Sequence, residues 1–368
     1  MRLEELPTPC LVLDRIVLEQ NLEAMRTVAR RHGVSLRPHL KTAKSVKVAR
    51  LAFGDETGPI TVSTLAEAEY FGRQGFGDIT LAAGITPQKL GRAAALVETG
   101  VRLSVVTDDV AVAKSIGSHI LGLRALIEID SGEGRGGVAA DSDALLEIGR
   151  ALGQRLAGVL THGGHSYACR TADCAADVAE QERRSVTRAA DVLRAAGLSC
   201  EMVSIGSTPS VTHARALDGV TEVRPGVYMF GDLFQAEIGS CTREDIALTV
   251  LASVIGRRES ENRILIDAGS LALSKDRSTA ATDHDAGFGI VWGIDCEPVY
   301  GECRIERAYQ EHGVATGDTS LPFEKIPVGT KVRVAPNHAC LTAAAYDRYY
   351  VVEGGDEVVA IWDRINGW

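Results

Sequence analysis

The sequence predicts an α/β protein in which a TIM-like (β/α)8 barrel over residues 1–240 is followed by a mainly antiparallel β domain over residues 241–368. Short apolar runs alternate with amphipathic helical stretches through the first two-thirds of the chain. About eight such units are present, which suits a barrel, whereas a doubly wound open sheet, the alternative, usually needs fewer strands. Helical periodicity nearly disappears after residue 240, where Gly, Asp and Asn divide strand-like runs.

The apolar runs define the strands of the predicted barrel. They lie at 10–14, 35–41, 60–64, 79–83, 102–107, 125–130, 156–162, 201–207 and 223–230. The stretches between them carry apolar side chains at helical spacing, which is typical of βα units around a parallel sheet. In the second domain, runs such as 246–258 and 348–364 have strand character.

The composition excludes several classes of partner. A net charge of −10 at pH 7 argues against nucleic acid, because phosphate binding needs a basic face. No apolar run approaches the ~20 residues that span a bilayer, and the start "MRLEELPTPC" has no apolar signal segment. We therefore expect a cytoplasmic protein without a membrane partner. The eight cysteines are scattered, so reduced thiols are expected.

The segment "SLRPHLK" places charge in a predicted strand. Arg37, His39 and Lys41 alternate with apolar residues, so all three should point into the barrel near the carboxyl end of the strand, where barrel active sites lie. A buried lysine with a lowered pKa is a nucleophilic amine and can form a Schiff base. The alternative is that Lys41 only pairs with an acidic group. Lys44 falls at the start of the next helix and should be solvated.

A glycine-rich loop follows the strand at 125–130. In "EIDSGEGRGGV" the spacing of the glycines superficially resembles a dinucleotide-binding loop, but no convincing helix begins at the last glycine. An arginine inside the loop also suits no NAD site. We interpret the loop as one that presents Arg135 at a strand end, against the alternative of a solvated arginine.

The next strand ends in the polar segment "THGGHSY". It carries His162, His165 and Tyr167, and polar groups at a strand end are typical of a site lining. For His162 a core histidine with satisfied hydrogen bonds is an equal alternative.

Two later segments, "SIGSTPS" and "RPGVYMFGD", have the composition of a phosphate-binding turn. Phosphate groups need backbone N–H groups and hydroxyls at turns where glycine permits close approach, and barrels build such sites after their last two strands. Ordinary turn chemistry is the alternative. The candidate residues are Gly206, Ser207, Thr208, Gly226, Val227 and Tyr228.

The segment "PNHAC" offers two metal ligands. His338 and Cys340 flank one residue, and imidazole with thiolate suits zinc. Two protein ligands leave positions for water or substrate, as a catalytic metal requires. Most H-x-C pairs on their own occur by chance.

These segments, together with "TPCLVLD" and "RPHLKTAK", resemble the D-serine dehydratase and D-threonine aldolase family, and they occur in the family's order over nearly the whole chain. Its members are fold type III pyridoxal phosphate enzymes related to alanine racemase. The resemblance implies an alanine-racemase-like barrel and β domain. One departure is Ala43, where the family often has His, so a polar contact beside Lys41 is expected to be missing.

The resemblance also implies roles for the candidate residues. Lys41 would form the Schiff base with the cofactor, Arg135 and Tyr167 would lie beside its ring, and the turn residues above would hold its phosphate. His39 and His165 are assigned to substrate binding. In this family the dehydratases have H-x-C with zinc, whereas the aldolases tend to have H-x-D with a harder cation such as manganese.

The sequence therefore predicts a pyridoxal phosphate and zinc dependent dehydratase of a β-hydroxy D-amino acid, with D-serine converted to pyruvate and ammonia. The first alternative is an aldolase on D-threonine or another 3-hydroxy D-amino acid, and the second is a racemase. A non-catalytic pyridoxal phosphate carrier is disfavoured, because such proteins usually lack a second domain. The resemblance further implies a homodimer.

Overall fold

The structure, a computed structural model, describes residues 1–118 and 122–368. The chain divides into two units that do not follow a single cut in the sequence. The barrel unit comprises Glu23–Gly226 with Ile365–Trp368, and the β unit comprises Met1–Leu22 with Val227–Arg364. The domain boundary predicted after residue 240 therefore differs from the boundaries of these two units, which lie after Leu22, Gly226 and Arg364.

The barrel unit is built on a parallel sheet of eight strands in the order β2-β9-β8-β7-β6-β5-β4-β3. A parallel bridge between His39 and Thr61 of β3 links the two ends of this order. Most of these strands are rich in Val, Ile and Leu, as expected for strands covered on both faces. They are β2 Ser35–Leu36, β3 Ile60–Val62, β4 Asp78–Gly84, β5 Arg102–Thr107, β6 Arg124–Glu128, β7 Leu156–Leu160, β8 Met202–Ile205 and β9 Glu222–Val223.

Helices follow most of these strands, and several begin at a side chain that caps the helix. Thr64, Asp109, Ser142 and Thr171 each accept a hydrogen bond from a backbone N–H of the first helical turn. The helices of the chain are α1 Arg15–His32, α2 Val46–Leu51, α3 Leu65–Arg73, α4 Leu90–Glu98, α5 Val110–Gly117, α6 Asp143–Leu152, α7 Ala172–Ala195, α8 Thr208–His213, α9 Leu233–Glu237, α10 Ser270–Leu273 and α11 Ala339–Ala343.

The β unit holds a nine-stranded sheet in the order β11-β14-β13-β12-β15-β10-β1-β16-β17. All pairings are antiparallel except that of β1 with β16, and β11 also pairs with β10. The strands are β1 Cys10–Asp14, β10 Leu248–Arg258, β11 Arg263–Ile266, β12 Gly289–Trp292, β13 Arg304–Ala308, β14 Gly313–Thr316, β15 Lys331–Pro336, β16 Arg348–Val352 and β17 Ala360–Asp363.

Three strand predictions need correction. The strand at 10–14 forms, but it pairs with β10 and β16 in the β unit and not with the barrel sheet. The strand predicted at 35–41 ends at Leu36, because Pro38 lacks the N–H that a continuing strand would donate. The strand predicted at 223–230 ends at Val223, since Pro225 follows, and Val227–Met229 is a 3-10 helix.

The apolar faces of the barrel helices are buried. On α3, Phe71 is fully buried, and its ring packs edge-on against that of Phe76 with the centroids 5.6 Å apart. Burial of a phenylalanine side chain contributes on the order of 1.5–3 kcal/mol to folding. Such contacts fix the helices against the sheet and so hold the strand ends in place.

One pair of cysteines does not have the reduced thiols that the sequence predicted. Cys169 and Cys174 are joined by a disulfide, which corrects the expectation that all thiols are reduced. The turn between them brings their Cα atoms to 5.5 Å, a separation that sequence spacing alone does not reveal. Of the helices that the structure describes, none has the length and apolar character needed to span a membrane.

Candidate active site

Arg37 follows β2 and is buried, but its partners lie at the amino-terminal end of the barrel strands and not at the carboxyl end where the sequence placed it. Its Nε donates to Glu222 Oε2 at 2.7 Å and one Nη donates to Asp78 Oδ1 at 2.9 Å. Both carboxylates come from barrel strands, and Asp78 is the first residue of β4. Arg37 is 4% exposed, so this is a buried ion pair at the amino-terminal end of the sheet.

Lys41 lies in the turn that follows His39 and is exposed. This corrects the prediction of a buried lysine on a strand: the chain has left the sheet at Leu36, so strand alternation no longer decides where Lys41 points. Its backbone N–H donates to His39 Nδ1 at 3.4 Å. The positive charge of Lys41 still acts on buried groups at the mouth of the barrel.

Two of those groups are histidines held in the neutral form. Burial lowers the pKa of His39 well below its usual range, and the charges of Lys41 and Arg224 lower it further. Burial likewise lowers the pKa of His162 to about 3, with a further contribution from Lys41. His162 Nδ1 lies 3.1 Å from the carbonyl oxygen of Gly206, which fits a neutral imidazole with a proton on Nδ1.

Arg224 completes this cluster, which we call the mouth cluster: His39, Lys41, His162 and Arg224. Arg224 is 5% exposed, and its Nη atoms donate to Ser204 Oγ and to the carbonyl oxygen of Thr161, both at 2.5 Å. Burial lowers its pKa against the opposing effect of Glu222. Sequence reasoning missed Arg224, because the strand predicted at 223–230 placed "RPG" inside a strand, whereas β9 ends at Val223.

The mouth cluster fits an anionic cofactor. Burial lowers the pKa values of His39, His162 and Arg224, and the charge of Lys41 lowers those of both histidines further. A bound anion would reverse that effect, because an opposite charge favours the protonated forms. The residues present are therefore compatible with the phosphate and ring oxygens of pyridoxal phosphate.

The turn after β8 is more constrained than the sequence suggested. Gly206 has φ of +125°, and a Cβ there would lie 2.9 Å from the side chain of Val211, so glycine is required. Its N–H donates to Glu182 Oε1 at 3.1 Å. The N–H of Ser207 donates to Ser210 Oγ at 3.2 Å. These two predicted phosphate donors are thus engaged within the protein.

Glu182 is a second residue that sequence reasoning missed. It is fully buried on α7, and its Oε1 also accepts the N–H of Gly163 at 2.6 Å. One carboxylate oxygen therefore ties together the loops that follow β7 and β8. Burial raises the pKa of Glu182, and the hydrogen bonds to its carboxylate oppose that rise. Helical spacing on α7 marked this position only as part of the buried face.

The other turn candidates fall in two different units. Thr208 begins α8 and is buried, and Gly226 is buried beside His39, whose carbonyl oxygen would lie 3.0 Å from an added Cβ. Both belong to the barrel unit. Val227 and Tyr228 belong to the β unit, in its first 3-10 helix after Gly226.

Arg135 is presented on a loop, as predicted, and 56% of its side chain is exposed. It pairs with Glu128 at 3.3 Å, so its charge is partly compensated. The loop itself is held by Asp130, whose Oδ1 accepts the N–H groups of Gly132 and Gly134. The charge of Arg135 contributes to the lowered pKa of His162, for which burial is the main cause.

Tyr167 and His165 lie on the 3-10 helix Gly164–Ala168. The ring centroids of Tyr167 and His162 are 6.5 Å apart, so Tyr167 lies beside the mouth cluster. His165 Nε2 instead lies 3.3 Å from Gln181 Oε1. The structure thus groups Tyr167 with His162 and directs His165 toward α7.

Lys44 is not simply solvated. Its Nζ lies 3.4 Å from Oε1 of Glu67, a carboxylate that is 1% exposed. The prediction is wrong because the turn at 41–44 folds the chain back onto α3, with Lys44 at φ of +47°. Ala43, where a polar contact was expected to be missing, is fully buried.

The predicted metal pair lies in the β unit at the start of α11. His338 Nδ1 is 2.8 Å from Asp276 Oδ2, and the imidazole also hydrogen-bonds Cys340. Burial lowers the pKa of His338, but these hydrogen bonds outweigh it and raise the pKa to about 11. The hydrogen bond from His338 lowers the pKa of Asp276 to about 2.

Among the residues that the structure describes, no group of three or more His, Cys, Asp or Glu side chains is arranged to hold a metal. The pair nevertheless fits a site with open positions. A carboxylate on one ring nitrogen of a histidine is typical of metal ligands. Imidazole and thiolate together suit a borderline-soft cation.

Comparison with known proteins identifies the family. Residues 13–233 match the family described as alanine racemase, N-terminal domain, and residues 247–352 match a serine dehydratase domain. A D-threo-3-hydroxyaspartate dehydratase from Delftia sp. (strain HT23) is 42% identical over 99% of this chain and 98% of its own. Its solved structure has a TM-score of 0.95, at 41% identity and with both chains fully covered.

Two more distant relatives are named as a D-serine dehydratase and a D-threonine aldolase. A D-serine dehydratase from Dictyostelium discoideum is 32% identical, covering 100% of this chain and 98% of its own. A D-threonine aldolase from Arthrobacter sp. is 31% identical, covering 98% and 93%. A D-threo-3-hydroxyaspartate dehydratase has also been solved with one histidine replaced by alanine and, in a metal-free form, with one cysteine replaced by alanine.

The chain belongs to the D-serine dehydratase and D-threonine aldolase family of alanine-racemase-like enzymes. The predicted fold, a TIM-like barrel with an antiparallel β domain, is confirmed. It is a lyase of the group that acts on β-hydroxy D-amino acids.

Proposed function

We propose that this protein is a pyridoxal phosphate dependent dehydratase that removes water from a β-hydroxy D-amino acid with the help of a divalent metal. The observation that carries the choice of dehydratase is the pair His338 and Cys340. Dehydratases of the family have this H-x-C pattern, whereas the aldolases tend to have H-x-D.

The barrel unit supplies the cofactor residues of this proposal. Lys41 would hold the cofactor covalently, and Arg224 with His39 and His162 would bind and orient it. When bound, pyridoxal phosphate withdraws electrons from the Cα of the substrate. The turn at Gly206–Thr208 would approach the phosphate group, held in place by Glu182.

Lys41 has the second role of moving a proton. With the substrate bound, Nζ of Lys41 would be the amine that accepts the Cα proton. In the cofactor-free protein, burial and the charges of Lys41 and Arg224 keep the pKa of His39 low, so the imidazole adds no further positive charge beside Lys41. Arg135 and Tyr167 line the same mouth and would orient the ring and the substrate.

His338 and Cys340 would hold the metal, with zinc the best fit to a thiolate ligand. A metal there would supply a Lewis acid for the departing β-hydroxyl. The solved D-threo-3-hydroxyaspartate dehydratase in which a cysteine is replaced by alanine supports this role, since it is described as metal-free. An aldolase is the second candidate, favoured by the 31% identical D-threonine aldolase.

Two β-hydroxy D-amino acids are the best-supported candidate substrates. D-serine is the substrate expected from the sequence and would give pyruvate and ammonia. D-threo-3-hydroxyaspartate is favoured by the 42% identity to the Delftia enzyme and would give oxaloacetate and ammonia. The homodimer and the cytoplasmic location stay predictions, the first to be checked by light scattering of the purified protein.

The decisive experiment identifies products from both substrates and from D-threonine. We expect keto acid and ammonia in equal amounts, loss of turnover with a chelator, and no turnover of the L-enantiomers. Glycine with glyoxylate or acetaldehyde as the main products would instead establish an aldolase. Full turnover by protein with no bound divalent metal would exclude the metal role.

A further inference from the structure

We propose that Asp276 is the positioning residue of the metal pair. It accepts the Nδ1–H of His338, so that a divalent metal would bind at Nε2 of the imidazole and displace the proton there. This inference rests on the proposed metal site at His338 and Cys340 and adds to it a residue that neither the sequence motifs nor the comparisons single out.

The carboxylate of Asp276 is fixed by hydrogen bonds to both of its oxygens. Its Oδ2 lies 2.8 Å from His338 Nδ1, and its side chain is 16% exposed. Its other oxygen, Oδ1, accepts the backbone N–H of Ser278 at 2.7 Å. Because both oxygens are engaged, the carboxylate cannot rotate without losing one of these hydrogen bonds.

A histidine that ligates a metal through one nitrogen must be unprotonated on that nitrogen. A carboxylate acceptor at Nδ1 selects the tautomer with the proton on Nδ1, and outer partners of this kind orient the ring in metal sites. Asp276 is such an acceptor, so Nε2 of His338 becomes the ligand atom.

The backbone around the pair is fixed without help from Asp276. Asp232 Oδ2 accepts the N–H of Ala339 at 2.9 Å. Asn337 Nδ2 donates to Thr279 Oγ1 at 2.7 Å. These buried contacts should keep the segment folded when Asp276 is changed, which separates its effect on the imidazole from an effect on folding.

The change Asp276→Asn tests the inference with an isosteric side chain. The N–H of Ser278 still needs an acceptor, so the amide oxygen should take the Oδ1 position and the NH2 group should face His338 Nδ1. There it can only donate, which selects the tautomer with the proton on Nε2. The nitrogen meant for the metal would then be blocked.

The probe is Co²⁺ alone, titrated into the purified protein, because its visible spectrum reports a thiolate ligand. We expect wild-type protein to give a Co²⁺–thiolate band that Cys340→Ala abolishes. Asp276→Asn should bind Co²⁺ about 10–100-fold more weakly in competition with a chelator, with an unchanged thermal midpoint. Asp283→Asn, an exposed aspartate further along the same loop, is the matched control and should bind like wild type.

The outcomes separate the two proposals. Co²⁺ affinity of Asp276→Asn within twofold of wild type, with the Cys340-dependent band intact, would overturn the role of Asp276 and leave the metal site standing. Absence of a Cys340-dependent band in wild-type protein would overturn the metal site and the inference together.

Discussion

Arg37 and Arg224 are both buried in the barrel unit, but they differ in the groups that accept their hydrogen bonds. Arg37 donates to the carboxylates of Asp78 and Glu222. Arg224 donates to a hydroxyl and a carbonyl oxygen. Burial lowers the pKa of both, but the two carboxylates more than restore that of Arg37, whereas the pKa of Arg224 stays lowered.

A single hydrogen-bonded chain connects the two arginines. Arg224 donates to Ser204 Oγ, which donates at 2.7 Å to Glu222 Oε1, and Oε2 of the same carboxylate accepts from Arg37. At the amino-terminal end of the barrel the charge of Arg37 is therefore compensated, whereas at the mouth Glu222, Glu182 and Glu128 only partly offset the burial of Arg224, whose pKa stays lowered. A buried cation that is only partly compensated is stabilised further by an anionic ligand, so the difference favours the mouth as the binding end.

The largest effect is expected for Lys41, the exposed member of the mouth cluster. Lys41→Ala removes both the amine that would hold the cofactor and the base for the Cα proton. We expect turnover to fall by at least about 10³-fold, because each role alone is worth orders of magnitude. Turnover of D-serine and D-threo-3-hydroxyaspartate measures this effect.

Lys47→Ala is the matched control, an exposed lysine on the following helix α2. It should keep wild-type turnover. Borohydride reduction followed by peptide mapping should find the cofactor on Lys41. An adduct on Lys44, or a Lys41→Ala protein that keeps its turnover, would contradict the assignment.

The two arginines themselves give the next prediction. Arg37→Met leaves the carboxylates of Asp78 and Glu222 buried without their cation, and breaking such a pair costs about 3–5 kcal/mol. Arg224→Met removes hydrogen bonds to neutral groups only and should cost less in the free energy of unfolding. Its cofactor affinity should fall more than that of Arg37→Met. Urea unfolding and cofactor titration of both variants measure these quantities, and the reverse order of stabilities would remove the basis of the comparison.

The pH dependence of the free energy of unfolding tests whether His162 of the mouth cluster is held in the neutral form. The pKa of His162 is about 3 in the folded protein because of burial, against about 6.5 in an unfolded chain. The unfolded chain therefore takes up a proton first as pH falls. This contribution to stability is intact above pH 6.5 and is lost progressively as pH falls toward 3. Between pH 7.5 and 5 the loss should be about 2 kcal/mol for cofactor-free protein.

His162→Gln should reduce that acid sensitivity, and part should remain because the pKa of His39 is lowered as well. His284→Gln, at an exposed position, is the control and should behave like wild type. Thermal midpoints across the pH range give the comparison. Equal acid sensitivity in wild type and His162→Gln would show that His162 is not held neutral by the fold.

The smallest stability effect is expected for Arg135. Its side chain is largely exposed and its pair with Glu128 is solvated, so Arg135→Ala should change the free energy of unfolding by less than about 1 kcal/mol. Cofactor-dependent turnover should fall far more. A variant with full turnover would leave Arg135 as a loop arginine without a role at the mouth.

The sequence by itself determined the class of fold and the set of segments that carry the site. Periodicity of 2 and 3.6 is a local property, so most strands and helices could be predicted from it. The polar segments at strand ends could be predicted for the same reason, since a strand that ends in His, Arg and Gly has left the apolar core.

The tertiary structure decided what depends on contacts distant in sequence. The β1 strand lies in the β unit because its edge pairs with β10 and β16, and its apolar sequence would suit either sheet. Lys41 is exposed because it lies in a turn after Pro38, where side chains no longer alternate between the two faces of a strand. Glu182 and Asp276 reach loops that lie far from them in sequence, and only packing brings a carboxylate to a particular N–H. Compensation of charge is likewise a property of neighbours in space, so only the structure could separate Arg224 from Arg37.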